Sequence, residues 1–192
     1  LARSGATKPN TTLTFAAAGA YQGFNPDKPA TIASGPSMLM VIACYDSLTD
    51  VVIPSTTAGA KKAFAKGLPT TGKLAEKWEV DKTGKIYRFH LRKGVKSHAG
   101  NTLTADDVKW SIEKAIDGKF VAAFLVGLLN GVTDTAKQFK KIDDLTFDIT
   151  LDVVPPPYFL PIFGLPWVPI FDSKAAAAGS TDKDPYAQDW LN

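Results

Sequence analysis

Two histidines and one cysteine are the side chains in these 192 residues from which metal or nucleophilic chemistry could most directly be built. His90 falls in a run that alternates like a strand, and His98 in a glycine-containing loop just after it. Neither sits at the helical i, i+4 spacing that points two imidazoles at one ion. HExxH, paired CxxC and an acidic calcium loop are all absent, so no metal site is expected. GxSxG is also missing, and no serine has an evident histidine partner. Cys44 lacks a neighbouring base that would lower its thiol pKa, and it reads as a small buried hydrophobe. As the single cysteine it forms no internal disulfide, so cysteine usage leaves the compartment open. His98, in a basic loop, could be a general base for hydrolysis, although bonding to backbone suits that setting better. No catalytic residue, metal or cofactor is expected, and the chain does not read as an enzyme.

Composition narrows the partners. Hydrophobic residues make up 45% and charged residues 21%, ordinary values for a folded domain with a sizeable core. The 22 Lys and Arg are interleaved with 19 Asp and Glu, giving a net charge of +3. Such interleaving builds no one-sided basic field, so nucleic acid is not an expected partner. The longest apolar stretches, 120–129 and 158–171, are too short or too broken by proline to span a bilayer. No basic-then-apolar leader opens the sequence, from which we expect a mature start.

The elements that would position any site are clearest between residues 73 and 115. Runs 74–80 and 86–91 flank Asp81-Lys82-Thr83-Gly84-Lys85, a turn-forming set, and predict a β-hairpin. A basic loop, 92–100, leads to Thr104-Ala105-Asp106-Asp107. Val108, Ile112 and Ala115 then recur at helical spacing. Thr104 is placed to cap this helix, and the two aspartates sit where the helix dipole favours negative charge.

Around this stretch, 12–17 reads as a strand running into a loop with Gly19, Gly23 and Asn25-Pro26. Ser34-Gly35-Pro36 starts a helix on which Met38, Leu39, Ile42, Tyr45 and Leu48 share a spacing. Asp46 is expected to be a structural cap. Residues 54–71 read as an exposed inserted loop with a short helix at 58–65. Its Lys61, Lys62 and Lys66 form a solvated face or a docking patch. A further helix is predicted over 120–129, a second hairpin over 137–142 and 145–151, and short helices at 158–163 and 175–178. Pro155-Pro156-Pro157 ends the last long strand.

The ordered motifs Leu74-Ala75-Glu76-Lys77-Trp78, Phe89-His90-Leu91-Arg92-Lys93-Gly94-Val95-Lys96 and Leu103-Thr104-Ala105-Asp106-Asp107-Val108 continue into Lys109-Trp110-Ser111-Ile112-Glu113. Together they resemble the N-terminal region of the peptide/nickel/opine family of solute-binding proteins. Ser97-His98-Ala99-Gly100 departs from that family's usual phenylalanine, histidine, aspartate, glycine.

The resemblance implies a mixed α/β (α+β) fold: the N-terminal lobe of a two-lobed periplasmic-binding-protein fold, incomplete here, with lobe II absent. Residues 12–50 and about 164–192 would form the lobe's core subdomain. Residues 51–163 would form an inserted subdomain with two hairpins and helices. It implies solute-contacting residues at Tyr21, Phe24 and Asn25 on the first loop, and at Phe124 and Trp167. The implied function is that of the receptor of an ATP-driven importer, placed in the periplasm or on the outer face of the cell membrane. Its partners would be a small solute (peptide, metal chelate, opine or sugar) and the importer's membrane permease subunits. A different class of reading, a truncated lobe that binds another protein without trapping solute, stays open, as more distantly does a hydrolase using His98.

Overall fold

The computed structural model describes residues 20–26, 28–66, 68–118 and 121–191; the strand expected at 12–17 lies outside them. In chain order the elements are α1 (Pro29–Ala33), α2 (Gly35–Cys44), β1 (Asp46–Ser47), β2 (Thr49–Val51), α3 (Thr57–Lys66), β3 (Thr70–Gly72), β4 (Ala75–Val80) and β5 (Ile86–Leu91). Then follow α4 (Ala105–Gly118), α5 (Val121–Ala123) running into a π-helical turn (Phe124–Leu129), α6 (Thr135–Gln138), β6 (Phe139–Asp143) and β7 (Thr146–Thr150). The chain closes with α7 (Phe159–Ile162), β8 (Pro169–Ile170), α8 (Ser173–Ala176) and a 3-10 turn (Ala177–Gly179).

The expected first hairpin is β4–β5. Its turn is built by the Asp81 carboxylate, which accepts bonds from the backbone N–H groups of Thr83, Lys85 and Ile86 and from the Thr83 hydroxyl. Gly84 supplies the positive φ of 72° that closes it. The second hairpin, β6–β7, pairs with the first through β5 and β7, giving an antiparallel sheet in the order β4-β5-β7-β6. One face is apolar. Phe89, Phe147 and Phe139 stack in a row at centroid distances of 5.2 and 4.8 Å. Residues that are fully buried like Phe89 cost about 3–5 kcal/mol when truncated to alanine. The other face carries a row of alternating charge at one register, Glu79, Arg88, Asp148 and Lys140. Arg88 makes a bidentate fork to Asp148 at 2.7 and 2.9 Å.

Helix α4 covers the apolar face with Ala105, Val108, Ile112 and Ala115, all buried. Its capping differs from expectation in one respect. The Asp107 side chain reaches back to accept from the Thr104 N–H (2.8 Å) and hydroxyl (3.1 Å), the reciprocal half of a capping box. Lys141 ties the same helix end to the sheet through Asp106 and Asp144, at 2.7 and 2.8 Å.

Four local expectations are corrected. Helix α2 stops at Cys44, because Tyr45 is extended and the next two residues pair with β8, while Leu48 is drawn into the core. Cys44, expected to be buried, is exposed at that helix end. Asp46 caps nothing; it lies on β1 and pairs with Lys73 at 2.8 Å. The second hairpin starts later than expected, because Asp134 caps the short helix α6 by accepting from the Ala136 N–H at 3.0 Å. The segment 54–71 folds as expected around a helix, and its end pairs with β2. No helix among the described residues is long and apolar enough to cross a membrane.

Candidate functional site

The loop 20–26 presents aromatic rings outward and is fastened from behind. Tyr21 is 48% exposed, and its ring meets that of half-buried Phe24 edge-to-face at 5.1 Å. Asn25, by contrast, is 0% exposed. Its amide donates to the Gln188 backbone carbonyl (2.8 Å) and side-chain oxygen (2.7 Å), and its oxygen accepts from the Lys114 ammonium at 3.1 Å. Lys114 is itself fully buried and lies 4.6 Å from the centre of the Phe171 ring, a cation–π contact. Nearby, Lys28 pairs with Asp189 at 2.6 Å. The loop is thus held by α4 and by the C-terminal stretch, while its aromatic side stays open.

Tyr21 adjoins the end of α2. Burial, then the neighbouring Cys44 and Tyr21 groups, push the Tyr45 phenol up to about 12, so Tyr45 stays a neutral hydrogen-bonding group. Burial and then Cys44 likewise raise Tyr21. Tyr45 also meets Phe171 at 4.9 Å, and Phe171 meets Trp110.

A cavity of about 400 Å³ opens beside Tyr45, between the loop that follows β5 and the start of α8. Cys44, Tyr45, Val95, Phe171 and Trp190 supply apolar wall, and Lys96 and His98 also line it. Its floor is a polar clasp centred on Asp172. That carboxylate accepts from Ser97, from Asn101 at 2.9 and 3.1 Å, and from the Ala175 N–H at 2.9 Å. Burial raises the Asp172 pKa, but the bonds from Ser97, Ala175 and Asn101 outweigh it and leave the carboxyl below its ordinary value. Asp107 completes the clasp by accepting from the Ser173 N–H (2.9 Å) and hydroxyl (2.7 Å). Both carboxylates are therefore occupied in holding elements together. No group of three or more His, Cys, Asp or Glu among the described residues could hold a metal ion.

The expected contacts are brought together only in part. Tyr21, Phe24 and Asn25 form one unit, in which Asn25 is the internal anchor. Phe124 is 51% exposed on the π-helical turn, and Trp167 is half-buried with its indole N–H enclosed and without a hydrogen-bond partner. Neither makes a ring contact with Tyr21 or Phe24, and none of the five lines the cavity. Sequence reasoning passed over Tyr45, Asp172 and Lys114. A lysine on the apolar side of a predicted helix, beside Ile112 and Ala115, was the one readable sign of the last.

Comparison with solved structures defines the class first. A periplasmic binding protein associated with an ABC transporter from Helicobacter pylori, DppA in complex with the peptide STSA, superposes with a TM-score of 0.62 at 23% identity. The match covers 86% of this chain and 32% of that one, so the fold is that of part of a periplasmic binding protein. The chain belongs to the bacterial extracellular solute-binding proteins, family 5, whose model for the middle region matches residues 70–189. Among curated relatives, the di/tripeptide-binding protein 4 of Pseudomonas aeruginosa is 34% identical over 113 residues, 53% of this chain and 21% of that protein. The dipeptide-binding protein of Escherichia coli is 31% identical over 157 residues, 73% of this chain and 26% of that protein. These relatives are binding proteins rather than enzymes, and the chain spans only about a quarter of their length.

Proposed function

We propose that this chain is part of the peptide-binding receptor of an ATP-driven importer, working in the periplasm. The observation that carries this reading is the alignment of 73% of the chain with a dipeptide-binding protein. Residues 20–50 and 164–191 supply one wall of the solute cleft, and 51–163 form an appended subdomain that buttresses it. On that wall Tyr21 and Phe24 offer aromatic surface, and Asn25 holds their loop in place. Half-buried Trp167 and exposed Phe124 lie at the wall's margin. Closure of a second wall over the peptide, favoured because the closed state binds it more tightly, would present the receptor to the permease subunits.

The test is thermal denaturation and calorimetric titration of the protein expressed from its complete reading frame, with di- and tripeptides. A ligand at 100 times its Kd stabilises by about 2.7 kcal/mol, so a clear rise in Tm is expected. Replacing exposed Tyr21 by Ala should weaken binding severalfold while leaving the unliganded Tm within a degree or so. Absence of any peptide-dependent shift, with a solute of another class giving one, would overturn the peptide assignment. No response to any small solute would favour a protein-interaction role.

A further inference from the structure

The paired strands β2 and β3 are the foot of an arm. Val51 and Thr70 are the outermost pair, with one further bond from the Val52 N–H to the Pro69 carbonyl at 2.9 Å. Beyond that point the chain leaves the body and returns, carrying α3 between. Among the described residues helix α3 makes no more than slight contact with any other element, and buried Ala63 lies outside the main core. Residues 52–69 contain Lys61, Lys62 and Lys66 and no acidic residue, an imbalance that contrasts with the interleaved charge elsewhere. Lys61 and Lys62 are exposed, and no acidic group among the described residues pairs with either. At the foot of the same arm Ile53 is 85% exposed and Val52 47% exposed.

From this arrangement we propose that the arm binds the anionic phospholipid surface of a membrane. Lysine ammoniums on flexible stems are point charges suited to a diffuse negative layer rather than to a shaped pocket. Ile53 and Val52 are the kind of aliphatic groups that enter the headgroup boundary once the charges bring them there. A protein partner fits less well. The arm offers no arginine, tryptophan or tyrosine to anchor a buried interface. The proposal does not depend on what the solute cleft holds.

Each lysine near an anionic surface contributes about fivefold to partitioning, on the order of a hundredfold for the three. The experiment is co-sedimentation of the full-length protein with phosphatidylcholine vesicles, with and without phosphatidylglycerol. Expected is binding to the phosphatidylglycerol vesicles only. It should fall on the order of a hundredfold in the triple variant Lys61→Gln, Lys62→Gln, Lys66→Gln, and largely vanish near 1 M salt, where the screening length is about 3 Å. An unchanged Tm for the triple variant keeps the comparison free of folding effects. Ile53→Ser should weaken binding severalfold without altering its salt dependence. Equal binding to neutral vesicles, equal binding by the triple variant, or lysine-dependent binding to soluble polyglutamate without binding to vesicles would overturn the proposal.

Discussion

Asp81 organises a five-residue turn with one carboxylate, and that gives it a measurable titration. The Ile86 N–H, then the Thr83 hydroxyl, with further bonds from the Thr83 and Lys85 N–H groups, lower its pKa from 3.8 to about 2. A carboxyl whose pKa is lower folded than unfolded stabilises the protein above the unfolded value and loses that contribution as pH falls through the folded one. Tm should therefore decline between about pH 4 and pH 2, and the decline should be shallower in Asp81→Asn, which has no proton to take up there. Equal slopes for the two proteins would show that the turn does not titrate as described. This residue was readable in advance because its work is local: acid, Thr83 and Gly84 all lie within a few positions. Asn25 was not. Its side chain answers to Lys114 and Gln188, and nothing near it in sequence distinguishes an amide aimed at solute from one aimed inward.

Among elements, the strands that alternate and the helix with a regular apolar stripe were legible, because period and capping residues are properties of a short window. The two-residue strands β1 and β8 were not legible, since each is a strand only by virtue of the other, across most of the chain. The end of α2 was misjudged for the same reason: Leu48 keeps helical spacing, yet the core takes it elsewhere. The close joint between β3 and β4 depends on a missing side chain. A Cβ on Gly72 would lie 2.2 Å from the Ala75 carbonyl oxygen and 2.8 Å from that of Glu76, both backbone atoms that cannot swing aside. Gly72→Ala should cost about 3 kcal/mol or more. At Gly35 an added Cβ meets nothing within 4 Å, so Gly35→Ala in the first turn of α2 should be neutral or stabilising by about 0.5 kcal/mol. Urea midpoints of the two variants would separate steric closure from ordinary helix propensity; similar midpoints would contradict this account of the joint.

For the whole molecule, the family was legible because its motifs occur in order over a contiguous region, whereas the solute was not, because the chain spans only about a quarter of the length of its curated relatives. Cys44 offers a direct probe of that cleft. It is exposed beside Tyr21, on the wall assigned above to solute. Alkylation of Cys44 should slow severalfold when a bound dipeptide covers the wall, measured by mass spectrometry at matched times. An unchanged rate at saturating peptide would move the cleft away from the end of α2.

One set of the long-range ties of the chain is nested like brackets. Innermost is the sheet; around it Thr49 bonds to the carbonyls of Phe163 and Leu160, then β1 lies against β8, and outermost Asn25 and Lys28 reach Gln188 and Asp189. Once an inner bracket has closed, the next spans only a short free gap, so its loop-closure cost is small. Synthesis runs against that order at one end. The first described residues leave the ribosome well before residue 189 exists to fasten them, and so the aromatic loop proposed to meet the solute is made early and secured last.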